Sequence, residues 1–347
     1  MNFKAMTLRT LGTALLAVMV TTTSFAGNPD RAGSAGASYL LINPWARTSG
    51  LAGTNMASVY GIESTYSNVA GLAFNRNTEL IFANTNYLVG ADISINTVGF
   101  SQRIGTNVVG LSVMSMNFGD IPITTEDLPE GGIGTFSPRY SNLGLHYAKE
   151  FSNSIYGGLT MRVLSESISN VRAQGIAFDA GIRYVTGEFD NIRFGISLQN
   201  VGPTMRYSGD GMTVTGLVSG TTLTVEQRSA RYELPSLVNI GFAYDFLFGE
   251  NMKLTANGQF TSNSFTRDQF GAGAEFSYKN MVSLRAGYMW EDQIGGAETQ
   301  TVYNGPAAGF TVQVPTGANE TLIGVDYAYR STQNFDGIHT IGLHVDL

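Results

Sequence analysis

The sequence predicts an all-β fold: a transmembrane antiparallel β-barrel of about 14 strands with an N-terminal hatch segment. Three observations carry this expectation. Runs of about ten residues place apolar side chains at every second position, the number of runs is even, and the connections between them alternate between short and long.

The first residues read as an export signal. Lys4 and Arg9 form a basic start, Leu11 to Val20 an apolar core, and Ser24 to Ala26 a small-residue cleavage site, so residues 1–26 are expected to be removed. The apolar run is far shorter than the roughly 20 residues a spanning helix needs. Cleavage would leave 18 basic against 27 acidic residues, a formal net charge of −9. An acidic chain without a run of Lys and Arg is a poor match to nucleic acid. The absence of cysteine rules out disulfides and thiolate metal sites.

Three segments illustrate the alternation. In "IYGGLTMRVL", Ile155, Leu159, Met161 and Val163 share one face while Thr160 and Arg162 share the other. In "IAFDAGIRY", Ile176, Phe178, Ile182 and Tyr184 oppose Asp179, Gly181 and Arg183. In "IRFGISLQ", Ile192, Phe194, Ile196 and Leu198 oppose Arg193, Ser197 and Gln199. Soluble sandwiches alternate as well, but their strands usually run about 5 to 6 residues, whereas bilayer-spanning strands need about 9 to 11.

Strands are expected near 79–88, 93–104, 107–118, 138–150, 153–165, 174–187, 190–201, 235–248, 250–262, 268–279, 281–291, 306–315, 319–330 and 336–347. In the twelfth, Phe310, Val312 and Val314 alternate outward with Thr311 and Gln313 inward. "GTN", "FSN", "GEFDN", "GEN" and "KN" make tight turns, whereas 119–137, 202–234 and 292–305 are long. Barrels of the outer membrane have short periplasmic turns and long external loops, which puts both termini in the periplasm. Within 202–234, "MTVTGLVSGTTLTVEQ" has the pattern of an extra external hairpin.

The division is therefore a signal peptide at 1–26, a hatch at 27–78 and a barrel at 79–347. The 27–78 segment is too apolar for a solvated tail. It is expected to enter a lumen lined by Gly181, Gly241, Gly271, Gly273, Gly287, Gly324 and Gly342. Aromatic residues near strand ends, such as Tyr147, Tyr184, Tyr288, Trp290, Tyr327 and Tyr329, fit interfacial girdles.

Catalytic chemistry finds little support. "WARTSGLAGTNMAS" contains Gly50 and Gly53 in a G-x-x-G spacing with no following Lys, which falls short of a phosphate loop. Alternation turns His146 and His344 inward and leaves His339 near the outer rim, with no G-x-S-x-G elbow. Asp179, Glu275 and Asp326 point inward together with Arg162, Arg183, Arg193 and Arg285, so a paired charge network is expected instead of an acid/base pair. No enzyme activity, cofactor or metal site is expected. The acidic stretch with Glu126, Asp127 and Glu130, and the apolar Leu217, Val218 and Leu223, make the long loops candidate binding surfaces.

The two ends of the chain resemble a known family. "SAGASYLLINPWARTSGLAGTNMAS" followed by "ESTYSNVAGLA" is similar to the opening of the PorV/PorQ family, Bacteroidota outer-membrane barrels related to FadL. Its pattern is approximately "GxAGAxFLxIxxxARxxGMGGAxxA", then "DxxAxxxNPAGLA". Gly33, Gly36, Ala37, Leu40, Ala46, Arg47, Gly50, Gly53, Ala57, Asn68, Ala70, Gly71 and Leu72 fall on it. "SLRAGYMW", "GVDYAYRS" and "IHTIGLHVDL" resemble its last strands. Val69 replaces the family's Pro, and Leu347 its terminal aromatic.

The resemblance implies a cell outer-membrane component of the type IX protein secretion system. Such a barrel, embedded in outer-membrane lipid, would bind translocon or attachment-complex partners and secreted proteins with a C-terminal secretion domain. The alternative is a FadL-like channel for hydrophobic small molecules such as fatty acids, with a ligand or lipid in the lumen. The hatch motif of Arg47, Gly50, Gly53, Asn68 and Gly71 would then be structural, with Arg47 pairing an inward carboxylate such as Asp179 or Asp326.

Overall fold

The computed structural model describes residues 27–218, 220–296, 299–316 and 321–347; the expected signal peptide lies outside them. Fourteen long strands run antiparallel in chain order: β1 (Thr78–Tyr87), β2 (Ile93–Ile104), β3 (Asn107–Asn117), β4 (Arg139–Ser152), β5 (Ile155–Ile168), β6 (Val171–Thr186) and β7 (Ile192–Val201). They continue as β8 (Leu237–Phe248), β9 (Met252–Asn263), β10 (Gln269–Tyr278), β11 (Val282–Glu291), β12 (Tyr303–Thr316), β13 (Thr321–Thr332) and β14 (Ile338–Asp346). Each pairs with its neighbour, and β14 returns to β1 from Glu79 opposite Asp346 to Asn86 opposite His339, which closes the barrel. Closure gives every strand a neighbour on both sides, the condition for a sheet to sit in lipid.

Side-chain alternation decides which solvent each face meets. Along β1, Glu79, Ile81, Ala83 and Thr85 are buried while Leu80 and Phe82 are exposed. Ile182, Ile196 and Ile240 form a row across β6, β7 and β8 with 61%, 58% and 50% of their surface exposed. A belt this apolar and this open suits hydrocarbon, not water.

The connections fall into two classes. At one end are tight turns; in that joining β10 to β11, Lys279 and Asn280 both take positive φ, and Met281 N–H reaches the Tyr278 carbonyl at 3.0 Å, the type I′ geometry that follows strand twist. The other end carries the loops between β3 and β4, β7 and β8, and β11 and β12. The first holds a short pair (Ile121–Pro122 with Thr135–Phe136), and the second the hairpin of Thr213–Val218 and Thr221–Glu226.

Gly27 and Leu347 lie at opposite ends of the barrel, where the sequence expectation put both mature termini at one end. Leu347 lies with the tight turns, its N–H donating to the Thr78 carbonyl at 2.8 Å. Gly27, the first described residue, packs against Thr266 and Asp268 between β9 and β10, and Arg31 lies over the Phe265 ring at 4.2 Å. The segment ahead of β1 therefore traverses the lumen from the long-loop end.

The apolar belt makes a direct prediction. Ile196→Lys should destabilise the barrel by about 2–4 kcal/mol, as a cation near the bilayer midplane does. Reversible urea unfolding in phospholipid vesicles measures this; an unchanged midpoint would show that Ile196 does not face lipid.

Candidate functional site in the lumen

The lumen is filled by the N-terminal segment, and glycines make the fit possible. A Cβ at Gly287 on β11 would lie 2.3 Å from the Leu51 carbonyl oxygen, and one at Gly241 on β8 2.4 Å from Met56 Cγ. At Gly181 on β6 it would fall 2.1 Å from Asn68 Oδ1. Any side chain at these points would push the segment off the wall. The Asn68 amide nitrogen donates to the Ile182 carbonyl at 3.0 Å, and its oxygen accepts from Ala70 N–H at 3.1 Å, capping the turn that contains Val69 and Gly71. Gly50 packs against Gly309, and Gly53 takes φ 84°, a backbone conformation open to glycine.

Charge pairing fixes the segment more firmly. Arg47, in the single helical turn Ala46–Ser49, is buried with Nε 3.1 Å from Glu63 Oε1 and Nη2 3.4 Å from Glu79 Oε1. Its partners are thus Glu63 and Glu79, and the expected pairing with Asp179 or Asp326 is not made. Glu79 Oε2 accepts from Ile62 N–H at 2.6 Å and from Ser101 Oγ at 3.2 Å, so one barrel carboxylate binds two separate stretches of the segment. Glu63 feels opposing forces: burial pushes its carboxyl above the usual range while Arg47 pulls it down, and burial is the larger effect.

The other inward charges form separate groups rather than one lattice. Arg162 pairs with Asp179, donates to the Thr65 carbonyl at 2.6 Å and lies over the Tyr66 ring. Arg193 pairs with Asp245. Arg285 Nε meets Glu275 Oε2 at 2.9 Å and Nη1 lies 3.9 Å from Asp326, which also accepts from His344 Nδ1 at 2.7 Å. Arg183 departs from the expected network. It has no carboxylate partner among the described residues; it donates to the Met56 carbonyl at 2.9 Å and stacks over Phe74 at 5.0 Å. Backbone oxygen and a ring face replace the anion.

The lumen holds a polar cavity and an apolar cluster. Toward the tight turns lies a 290 Å³ cavity bounded by Arg47, Glu63, Glu79, Arg193, Glu275 and Arg285, among others. Toward the long loops an apolar cluster, Ile95 of β2, Met114 and Met116 of β3 and Leu164 of β5 around Tyr39, Leu40, Trp45 and Ile62, lies beside the buried Asn142, Arg162 and Glu166. The segment's own side chains occupy that apolar space.

The wall has a seam beside it. From Thr186 opposite Ile192 the β6–β7 ladder runs regularly to Ala180 opposite Leu198, then shifts to Phe178 opposite Val201. Asn200, at φ 59°, donates its N–H to Asp179 Oδ1 at 2.7 Å, and beyond it the chain leaves the wall. Tyr207 and Ser208 then pair with Ala173 and Arg172 in place of β7. Met205 exchanges two 2.9 Å backbone bonds with Tyr232, while Tyr207 and Tyr232 both donate to Glu166. The same loop holds the N-terminal segment: Gly36 N–H donates to the Glu233 carbonyl at 3.0 Å and Arg31 pairs with the Glu233 side chain at 2.7 Å.

His146 sits between Ser112 Oγ and Thr160 Oγ1, each 2.9 Å from a ring nitrogen. The ring is buried inside the wall, and a neutral hydroxyl stands where a catalytic histidine would have an orienting carboxylate. His339 bonds Tyr327 on the outward face at 2.7 Å.

Solved structures with this architecture include two toluene transporters and a FadL homologue. The toluene transporter TodX of Pseudomonas putida superposes with a TM-score of 0.56 at 13% identity, covering 88% of this chain and 97% of that one. The Ralstonia pickettii toluene transporter TbuX gives 0.52 at 14% identity, with the same coverage. A Pseudomonas aeruginosa FadL homologue gives 0.53 at 12%, covering 87% and 98%. The fold is that of the FadL-type barrels. No family model matches the sequence, and no curated protein does, so the narrower PorV/PorQ resemblance gains no confirmation.

Sequence reasoning missed Glu63 and Glu79. Glu79 was legible, since it shares the inward face of Ile81 and Ala83; Glu63 lies in irregular chain with no periodicity to place it. Arg47→Ala should cost about 3–5 kcal/mol, because two carboxylates lose a buried cation. With Glu63 pushed further up, its proton is held more tightly in the folded state, so the variant should lose stability as pH rises above the usual carboxylate range. Thermal unfolding across that rise in pH reads both effects; wild-type stability with a flat pH profile would refute the pairing.

Proposed function

We propose that this chain is an outer-membrane channel for hydrophobic small molecules, with the long-loop end outside and the tight turns and Leu347 at the periplasm. The observation that carries the reading is the apolar cluster inside the lumen toward the long loops, which is filled by Tyr39 and Leu40 of the segment itself. An apolar solute entering there replaces these side chains without exposing the barrel lining to water. Residues 27–77 act as the hatch, and Arg47 keeps its deeper part in place while the 35–42 stretch yields. The β6–β7 seam, closed by Met205 and Leu234 instead of a full ladder, supplies an exit toward the lipid. The FadL-type fold supports this reading, and no catalytic step enters it.

A second reading, a secretion component that docks protein, rests on a different observation. The hairpin at 213–226 exposes Val214, Leu217, Leu223 and Val225, and the 119–137 loop exposes Leu128 and Ile133. Together with the family resemblance of the two chain ends, these surfaces suit translocon or attachment partners and cargo with a C-terminal secretion domain. The channel reading is preferred because it uses the lumen as well as the fold.

A disulfide lock separates them, since the chain has no native cysteine. Ala35 and Glu233 are bridge partners, so Ala35→Cys with Glu233→Cys ties the hatch to the seam loop. In cells, oxidation should cut uptake of a radiolabelled fatty acid or alkylbenzene at least five-fold and reduction should restore it. Uptake at the level of cells lacking the protein, with recovery of a secretion partner after mild-detergent purification, would favour the second reading.

A further inference from the structure

Outward-facing residues at the long-loop end carry a feature that neither channel nor secretion role uses. Arg139 on β4 stands opposite Ser167 on β5, Ser167 opposite Arg172 on β6, and Arg172 opposite Ser208 of the seam loop. Two residues before Ser208, on the same face, is Arg206. None of the three guanidiniums has an ion-pair partner among the described residues, and all three are exposed. Strands lie about 4.8 Å apart, which sets the Arg139 and Arg172 backbones roughly 10 Å from each other. Arg172 and Arg206 border an open cleft of 740 Å³; its one carboxylate, Asp210, pairs with neither.

The composition changes in layers below this row. The next outward positions along β3 to β6 are Ser115, Ser141, Ser165 and Gln174, paired side by side. Two residues further come Val113, Leu143, Val163 and Ile176, each exposed by 40% or more. Fixed cations, then hydroxyls and an amide, then hydrocarbon is the vertical order of a phosphorylated glycolipid: anionic groups, sugar, acyl chains. The outward strand ends on β1, β2 and β7 to β14 present no lysine or arginine among the described residues, so the feature is local to one side of the barrel.

We infer that Arg139, Arg172 and Arg206 form a binding site for a phosphorylated glycolipid of the outer leaflet. The arginines hold phosphate in paired charge-assisted hydrogen bonds, and the serine row meets sugar hydroxyls. The site lies against the β6–β7 seam, so a bound lipid borders that part of the wall. The inference rests on the proposed placement of the long loops outside, and the test keeps the two apart.

The protein is first recovered from outer membranes and its folded state confirmed by heat-modifiable mobility. Binding of lipopolysaccharide in dodecyl maltoside micelles is then compared between wild type and the triple variant Arg139→Gln, Arg172→Gln, Arg206→Gln. At about five-fold per arginine, the triple variant should bind about 100-fold more weakly. Lys149→Gln with Lys279→Gln, at the opposite end, should bind as wild type does. Equal binding by the triple variant in a correctly inserted protein would overturn the site while leaving the placement intact. Displacement of the lipid by inorganic phosphate at equal concentration would overturn it too, by showing a free-phosphate site. Loss of binding with the Lys149 and Lys279 variant instead would invert the placement itself.

Discussion

The contact of Arg47 with Glu63 and Glu79 is the interaction on which the rest of the lumen depends. A closed barrel of fourteen strands encloses more space than its own inward side chains fill, and the N-terminal segment must occupy it. Apolar packing alone would let that segment slide along the barrel axis. A buried guanidinium held by one carboxylate of the segment and one of β1 fixes its height and rotation, because any shift leaves a charge unpaired in a low-dielectric interior. Glu79 extends the constraint by also binding Ile62 N–H, which sets the second half of the segment relative to the first.

Glycines complete what the charge pairing starts. Glycine positions on β6, β8 and β11 bring barrel backbone within reach of Asn68, Met56 and Leu51. Interiors packed at this density transmit displacement instead of absorbing it. The stretch around Arg47 therefore behaves as a fixed block, while that around Tyr39 and Leu40 is bound through fewer polar contacts. That contrast divides the segment into an anchor and a movable lead.

The barrel was legible from the sequence because its signal repeats. Each strand states its inward and outward faces independently, and fourteen such statements with alternating connection lengths leave little freedom. The inner charges were legible only as far as orientation. Alternation correctly turned Arg162, Asp179, Arg183 and Asp326 inward, yet the partner of each depends on register between strands and on the irregular path of residues 27–77, and neither has a period. Arg183 shows the limit, since its partner is a carbonyl, Met56 O, that no side-chain reading identifies. The start of the segment was misplaced for a related reason: loop lengths orient strands but say nothing of a chain that threads the lumen.

Hydrogen–deuterium exchange on the protein in detergent tests the central claim most directly. Amides from Trp45 to Phe74 should exchange as slowly as those of the neighbouring strands, and far more slowly than the exposed hairpin at 213–226. Exchange of Trp45 to Phe74 at the rate of that hairpin would show that the segment is not packed in the lumen, and would contradict the account.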